Sequence, residues 1–325
     1  MKFKCLSAIA LAMLVSSCTT VDPAQSSDDG VQRSGVAVSL YTREIVYYQR
    51  MADGIQAAAD ERGIDVSFSY ANSDPATQYD QIENAILRQP AGLLVAPIDA
   101  EAMVPVLTSA NDQGIPVVTT GNNLVEEARD IQRAFVGHDH SKTGEMKAQY
   151  LADKLNGEGR IGMIHAIRGL YLTDAQAEAA KKVFAKYPGI TVVDEQYAGS
   201  FSTDDALVAT QNMLSRFPDL DALFFDADDL AIGGVQAVQE AGRSDSVVTI
   251  GTDGTDPGVD AVRNGSMTST VLLCSYAEGY QAFNVLADII ESDDGSAPTF
   301  VETPSHLVTT ENIDEVLEGF GPNEC

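Results

Sequence analysis

Basic residues are scarce in this chain: 20 Lys and Arg stand against 48 Asp and Glu among 325 residues, a formal charge of −28. A protein this acidic has no positive patch to neutralise phosphates. That excludes nucleic acid as a partner and leaves the excess charge to solubility, as in a saline habitat. Cysteine is scarce too, with residues 5, 18, 274 and 325 as the full set, too few for a disulfide framework. The apolar run from Cys5 to Val15 is too short for a spanning helix. G-x-S-x-G, C-x-x-C, H-E-x-x-H and the P-loop lysine motif are all missing, so nothing calls for a cofactor, and an enzyme would need some other constellation. His138-Asp139-His140 is a poor metal site, because neighbours on an extended chain point to opposite faces. The acidic run Glu291–Asp294 reads as a solvated helix end and not as a calcium loop, whose ligands alternate.

The chain opens on Met1-Lys2-Phe3-Lys4, followed by the apolar run and by Ser16-Ser17-Cys18, the order of a secretory signal. Val15-Ser16-Ser17-Cys18 resembles the lipobox of bacterial lipoproteins, which implies that Cys18 is lipidated and becomes the first mature residue. Ordinary cleavage nearby is the alternative. Residues 1–18 are thus expected to be a lipoprotein signal peptide, and removing Lys2 and Lys4 takes the charge from −28 to −30. Residues 19–34, rich in Asp, Ser and Gln with almost no large apolar side chain, read as a flexible tether. The expected location is periplasmic or cell-surface, anchored to a membrane through Cys18.

From Gly35 onward short apolar runs alternate with helical patterns, the sign of βαβ units on parallel sheets. Strands are expected at Val36–Leu40, Ile64–Tyr70, Gly92–Ala96, Ile115–Thr120 and Arg133–Gly137. Between them Tyr48, Met51, Ile55 and Ala58 recur at helical spacing, with Gly63 placed as a C-cap. A second series follows, with a helix at Lys142–Leu155 and strands at Arg160–His165, Ile190–Tyr197, Ala222–Asp226 and Val247–Gly251. The expected fold is therefore α/β, with two doubly wound parallel-sheet lobes. The late strand Thr268–Leu273 and the helix Tyr276–Glu291 are where the chain is expected to return to the first lobe. That gives an N-terminal lobe of residues 35–137 plus 274–301 and a C-terminal lobe of 138–273 plus 302–325, joined by a hinge that the chain crosses several times. In such folds the cleft lies at the carboxyl ends of the strands.

Asp53-Gly54-Ile55, Ala96-Pro97-Ile98-Asp99, Gly114-Ile115-Pro116-Val117-Val118, Phe224–Gly233 and above all Gly251-Thr252-Asp253-Gly254-Thr255 resemble the ribose-binding, type I sugar-binding family of periplasmic solute-binding proteins. The resemblance runs from about Gly35 to Thr310. It implies a monomer that closes on a small sugar-like ligand and delivers it to the permease of an ABC importer in the membrane. A receptor that presents its ligand to a sensor kinase or chemoreceptor would use the same fold. A repressor of related fold would need a helix-turn-helix where this chain has its signal segment.

Carried over position by position, the family's ligand contacts fall on Tyr41, Tyr47, Tyr48, Ala96, Gly121 and Asn122 in the first lobe. In the second they fall on Gln176, Phe201, Ala227 and Asp253, with Leu273 at the hinge. Tyr48 and Phe201 are expected to sandwich a sugar ring while Asp253 takes its hydroxyls. Bland readings stand beside these: Tyr47 and Tyr48 as helix packing, Phe201 as a loop anchor, Asp253 as an Asx-turn residue and Asp228 as a helix N-cap. Ribose-type members carry an Asp-Arg pair at Gly121-Asn122, Arg at Gln176, Asn at Ala227 and Gln at Leu273. These departures leave fewer hydrogen-bonding groups for a ligand, so either the ligand has fewer hydroxyls than ribose or Arg43, Glu44, Arg168, Asp226 or Asp228 supplies the polarity. They also leave room at Gly121 and Ala227 for something bulkier.

Overall fold

Val36–Leu40 buries all five of its side chains and forms β1, the first of a series of short apolar strands that only the interior of a covered parallel sheet accommodates. The computed structural model describes residues 34–292, 298–318 and Cys325; the expected signal peptide of residues 1–18, with Cys18, and the expected tether up to residue 33 lie outside the described residues. After β1 come α1 (Val46–Arg62), β2 (Val66–Tyr70), α2 (Pro75–Ile86), β3 (Gly92–Val95), α3 (Val104–Asp112), β4 (Val117–Thr120) and β5 (Ala134–Gly137). Gly63 ends α1 in the left-handed conformation, as its position in the sequence suggests. Asp74 caps α2 by accepting from the Ala76 amide, with Pro75 at the first helical position.

The second series runs α4 (His140–Lys154), β6 (Glu158–His165), α5 (Tyr171–Phe184), β7 (Gly189–Tyr197), α6 (Thr203–Arg216), β8 (Ala222–Phe225), α7 (Asp228–Glu240), β9 (Val248–Ile250), α8 (Asp256–Arg263) and β10 (Ser269–Leu273). The chain ends with α9 (Ser275–Glu291), β11 (Phe300–Glu302), β12 (Ser305–Thr309) and α10 (Ile313–Glu318). Two six-stranded sheets result, ordered β11-β5-β4-β3-β1-β2 and β12-β10-β9-β8-β6-β7. All pairings are parallel except β12, which runs antiparallel to β10. The chain therefore passes between sheets after β5, after β10 and after β11. The late strand β10 stays in the second sheet, hydrogen-bonded to β9 and β12, and the return to the first lobe falls one element later, on α9.

Helix α9 covers the first sheet beside α1, its Phe283, Leu286 and Ala287 sharing a core with Met51, Ile55 and Leu94. The helices cross at bare backbone: a Cβ on Gly54 would lie 2.1 Å from the Tyr276 carbonyl oxygen, and one on Gly279 would lie 2.1 Å from that of Met51. Gly234 likewise leaves room for the Phe225 ring against α7, so the Gly233-Gly234 pair serves packing. Cys274, the residue between β10 and α9, is disulfide-bonded to Cys325 across 51 residues of sequence.

Candidate ligand-binding site

The carboxyl ends of the strands face one another across a cleft lined by Ile45, Tyr47, Tyr48 and Gly121 from the first lobe. His140, Leu172, Gln176, Phe201, Asp226, Ala227, Asp229, Asp253 and Leu273 line it from the second. About 480 Å³ of empty space lies between them, counting the part open to solvent. Both lobes contribute to its walls.

The first-lobe wall is aromatic. Tyr48 stacks on Tyr41 with ring centroids 5.4 Å apart and planes 9° from parallel, and it meets Tyr47 edge-on at 5.2 Å. Phe201 reaches over from the second lobe and meets Tyr41 edge-on at 6.1 Å. Tyr41 is 1% exposed and is not on the cleft lining, so it backs Tyr48 instead of facing a ligand. With Tyr41 on one face of Tyr48, a sandwich of one ring between Tyr48 and Phe201 is open only on the other face.

Tyr47 shows a face to the cleft, but its hydroxyl donates to the buried Glu278 carboxylate on α9. Glu278 also accepts from Thr120 Oγ1 at 2.9 Å and from the Gly121 amide at 2.6 Å, and His138 Nε2 lies 3.2 Å away. Burial would raise the Glu278 pKa, yet His138 and these donors hold it below the usual carboxylate range. The network fixes Gly121, whose φ of +70° is the left-handed region; Tyr48, Met51 and Ala96 stand no closer than 3.6 Å to the place of a Cβ, so backbone conformation and not space selects glycine there. Asn122 is buried beside the Tyr48 hydroxyl, off the lining, and neither of its amide atoms makes a hydrogen bond of ordinary geometry.

The second-lobe wall is acidic over a buried cation. Lys147 on α4 is fully buried, its Nζ donating to Gln176 Oε1 at 2.9 Å, to Phe225 O at 2.5 Å and to Thr252 Oγ1 at 2.6 Å. Burial lowers its pKa to about 7, against the pull of Asp226, Asp253 and Asp228. With Gln176 held by its oxygen, its Nε2 is a buried donor with no partner, on a residue that lines the cleft. Asp226 lines the cleft too, but accepts from the Ala166 amide, Thr173 Oγ1 at 2.8 Å and His165 Nδ1 at 3.0 Å. Burial pushes its pKa up, and His165 and Lys147 more than reverse this. Asp228 is committed elsewhere: it is the first residue of α7, with Ala227 as the cap, and it accepts from Thr255 N and from the Thr255 and Thr270 hydroxyls.

Asp253 follows β9 and extends its pairing with β10, donating its amide to Val271 O and accepting from Leu273 N at its carbonyl. Its φ of +105° is strained for a residue with a side chain, which costs on the order of 1–3 kcal/mol and recurs at ligand sites. Burial, then the charges of Asp228 and Asp229, raise the Asp253 pKa well above the usual range. His140, at the first turn of α4, places Nε2 3.2 Å from the Gly121 carbonyl oxygen. A carbonyl only accepts, so Nε2 carries the proton and the buried, unpartnered Nδ1 presents a lone pair. Burial, helped by His138, lowers the His140 pKa to about 4, so the ring is neutral at pH 7.

Of the residues marked in the sequence, the fold thus brings Tyr47, Tyr48, Gln176, Phe201, Asp226, Ala227, Asp253 and Leu273 to one cleft, with Tyr41 and Asn122 one layer behind. The further polarity expected there comes from Asp226 alone, because Arg43 stacks on Tyr70 and Arg168 on Tyr197, while Glu44 is exposed and Asp228 is sealed away. Sequence reasoning missed Asp229, Leu172, Ile45 and His140 on the cleft lining, along with the supporting Lys147 and Glu278. Among the described residues no group of three or more His, Cys, Asp or Glu could hold a metal ion, and no helix is long and apolar enough to cross a membrane.

Two doubly wound lobes with convergent aromatic and polar groups in the cleft between them define a ligand-binding protein that works by enclosing its ligand. The pattern of the periplasmic binding protein domain matches residues 36–294. A solved structure described as a periplasmic ribose ABC transporter from Conexibacter woesei is 36% identical, with a TM-score of 0.80, covering 89% of this chain and 96% of that one. A solute-binding protein from Bacillus halodurans, solved with bound myo-inositol, is 25% identical with a TM-score of 0.83, covering 89% and 98%. The xylitol-binding protein of Mycolicibacterium smegmatis is 28% identical over 310 residues, 95% of this chain and 85% of that one. The chain belongs to the periplasmic binding protein family, in its ribose-binding, type I branch. Members of this family are binding proteins.

Proposed function

We propose that this protein is the substrate-binding component of an ABC importer and holds a small sugar or sugar-like polyol in the cleft. The observation that carries the reading is the placement of Tyr48 and Phe201, from opposite lobes, beside Asp253 and the unpartnered Gln176 amide. Aromatic faces suit the C–H patches of a ring and the polar groups its hydroxyls. The relatives' ligands support the same class, since ribose, xylitol and myo-inositol are all polyhydroxylated. Hydroxyls would pair with Asp253, Gln176 Nε2 and His140 Nδ1. Leu273 and Ala227 form an apolar floor where ribose-type members carry polar side chains. Residues 35–137 with 274–301 would close against 138–273 with 302–325 as one monomer, hinged at the three passages between sheets. A thermal-shift panel of pentoses, hexoses and cyclic and linear polyols tests the reading. A ligand at 100 times its Kd stabilises the folded state by about 2.7 kcal/mol, and a panel in which nothing raises Tm would sink the proposal.

The lipid anchor at Cys18 belongs to the same proposal and is supported by the small residues before it and the polar stretch after it. Cys18→Ser should release the protein from the membrane fraction; a substituted protein that stays there is not held by Cys18.

A further inference from the structure

The side chains that line the cleft are unbalanced in both charge and hydrogen bonding. Asp226, Asp229 and Asp253 face it, and among the described residues no Lys or Arg does. Asp226 has its own partners in His165, Thr173 and the Ala166 amide, but among the described residues no side chain donates a hydrogen bond to the carboxyl group of Asp229 or Asp253, Thr203 reaching only the Asp229 backbone carbonyl. Lys147 lies beneath the wall and spends its three protons on Gln176, Phe225 and Thr252. His140 adds one more bare acceptor at Nδ1, and Gln176 Nε2 is the unpartnered buried donor. A neutral polyol brings as many acceptors as donors. On closure it would leave the crowding of Asp228, Asp229 and Asp253, which after burial itself already raises the Asp253 pKa against the pull of Lys147, without further relief, and buried like charges are costly. An ammonium group supplies donors without acceptors, cancels one negative charge and also suits the flanking faces of Tyr48 and Phe201.

We infer that the cleft selects a sugar or polyol carrying a protonated amine over its neutral counterpart, the ammonium lying between Asp253 and Asp229 within reach of His140 Nδ1. This rests on the reading that the cleft holds a small polyhydroxylated ligand. It adds the ligand's charge and a specificity role for Asp229, and it excludes acidic sugars.

The test is calorimetric titration of the full mature protein at pH 7 with matched probes: D-glucosamine against D-glucose, D-galactosamine against D-galactose, and an amino-deoxy inositol against myo-inositol. N-acetyl-D-glucosamine and D-glucuronic acid serve as the neutralised and acidic controls. The amine of at least one pair should bind about tenfold or more tightly than its parent, as a hydrogen-bonded charge pair provides, and acetylation should remove the gain. The amine-to-parent ratio should collapse in Asp253→Asn and shrink in Asp229→Asn. Neutral members binding as tightly as amines would overturn the inference while leaving the polyol reading intact. Tight binding of the glucuronate would overturn it too. If no probe of either kind binds, both fall.

Discussion

Lys147 Nζ donates to Gln176 Oε1 at 2.9 Å, and this bond leaves the other end of the amide, on a residue that lines the cleft, without a partner. Among the described residues Lys147 has no salt-bridge partner, and it acts through three hydrogen bonds in a fully buried position. Lys147→Met should weaken ligand binding by about tenfold, the worth of one good hydrogen bond, because the freed Gln176 amide can rotate away. Stability should move less than affinity, since relief from burying an ammonium offsets the lost bonds. Titration and thermal melts of the same preparation read both, and unchanged affinity would show that Gln176 needs no such support.

Stability should depend on pH through His140. Its folded pKa of about 4 lies below the unfolded value near 6.5, so the unfolded chain binds the extra proton between those limits. The contribution is therefore fully present above about pH 6.5 and is lost as pH falls toward 4, by up to about 3 kcal/mol. Asp228, raised by burial to about 7, works the other way over part of that range, so the comparison must be with His140→Gln. In urea melts from pH 4 to 7 the wild type should lose more stability on acidification than the variant. Parallel curves would mean that the ring is already protonated in the fold or that it is wet.

The Cys274–Cys325 disulfide ties the end of the chain to the passage between β10 and α9. Closing a 51-residue loop removes about 4 kcal/mol of unfolded-state entropy in the simple chain model. Cys274→Ser should lower Tm accordingly, and reducing the wild type should lower it to the same value. If the reductant shifts Tm in the Cys274→Ser variant as well, its effect does not run through this bond.

The parallel strands were legible in the sequence because each is a short apolar run between helical patterns, and Gly92–Val95 and Ala222–Phe225 are found almost to the residue. Phe300–Glu302 and Ser305–Thr309 were not read as strands. They are sheet edges, partly exposed and short, so little hydrophobic pattern is imposed on them. The cleft residues Asp253, Ala227 and Tyr48 were legible through the family resemblance, and Asp253 also through its position at the end of a strand. Lys147 and Glu278 escaped for the opposite reason. In His140–Lys154 and Ser275–Glu291 a charged residue reads as solvated surface, and only the tertiary packing shows both side chains to be fully buried. His140 was weighed as a metal ligand because its neighbours suggested one. Its unpartnered Nδ1 lone pair depends on the Gly121 carbonyl, 19 positions away in sequence.

The most direct measurement is ligand titration, with the strongest polyol or amino-polyol from the panels, of the wild type, Asp253→Ala and Tyr48→Ala. The two residues stand on opposite walls of one cleft. Asp253→Ala should cost about 1.5–3 kcal/mol of binding, the worth of a hydrogen bond to a charged group. Tyr48→Ala should also weaken binding by removing the apolar face, with the ligand-free Tm of both variants little changed. A variant that unfolds the free protein while its surviving fraction binds with wild-type affinity would make that residue structural. Wild-type affinity in both would contradict a ligand held between the two lobes.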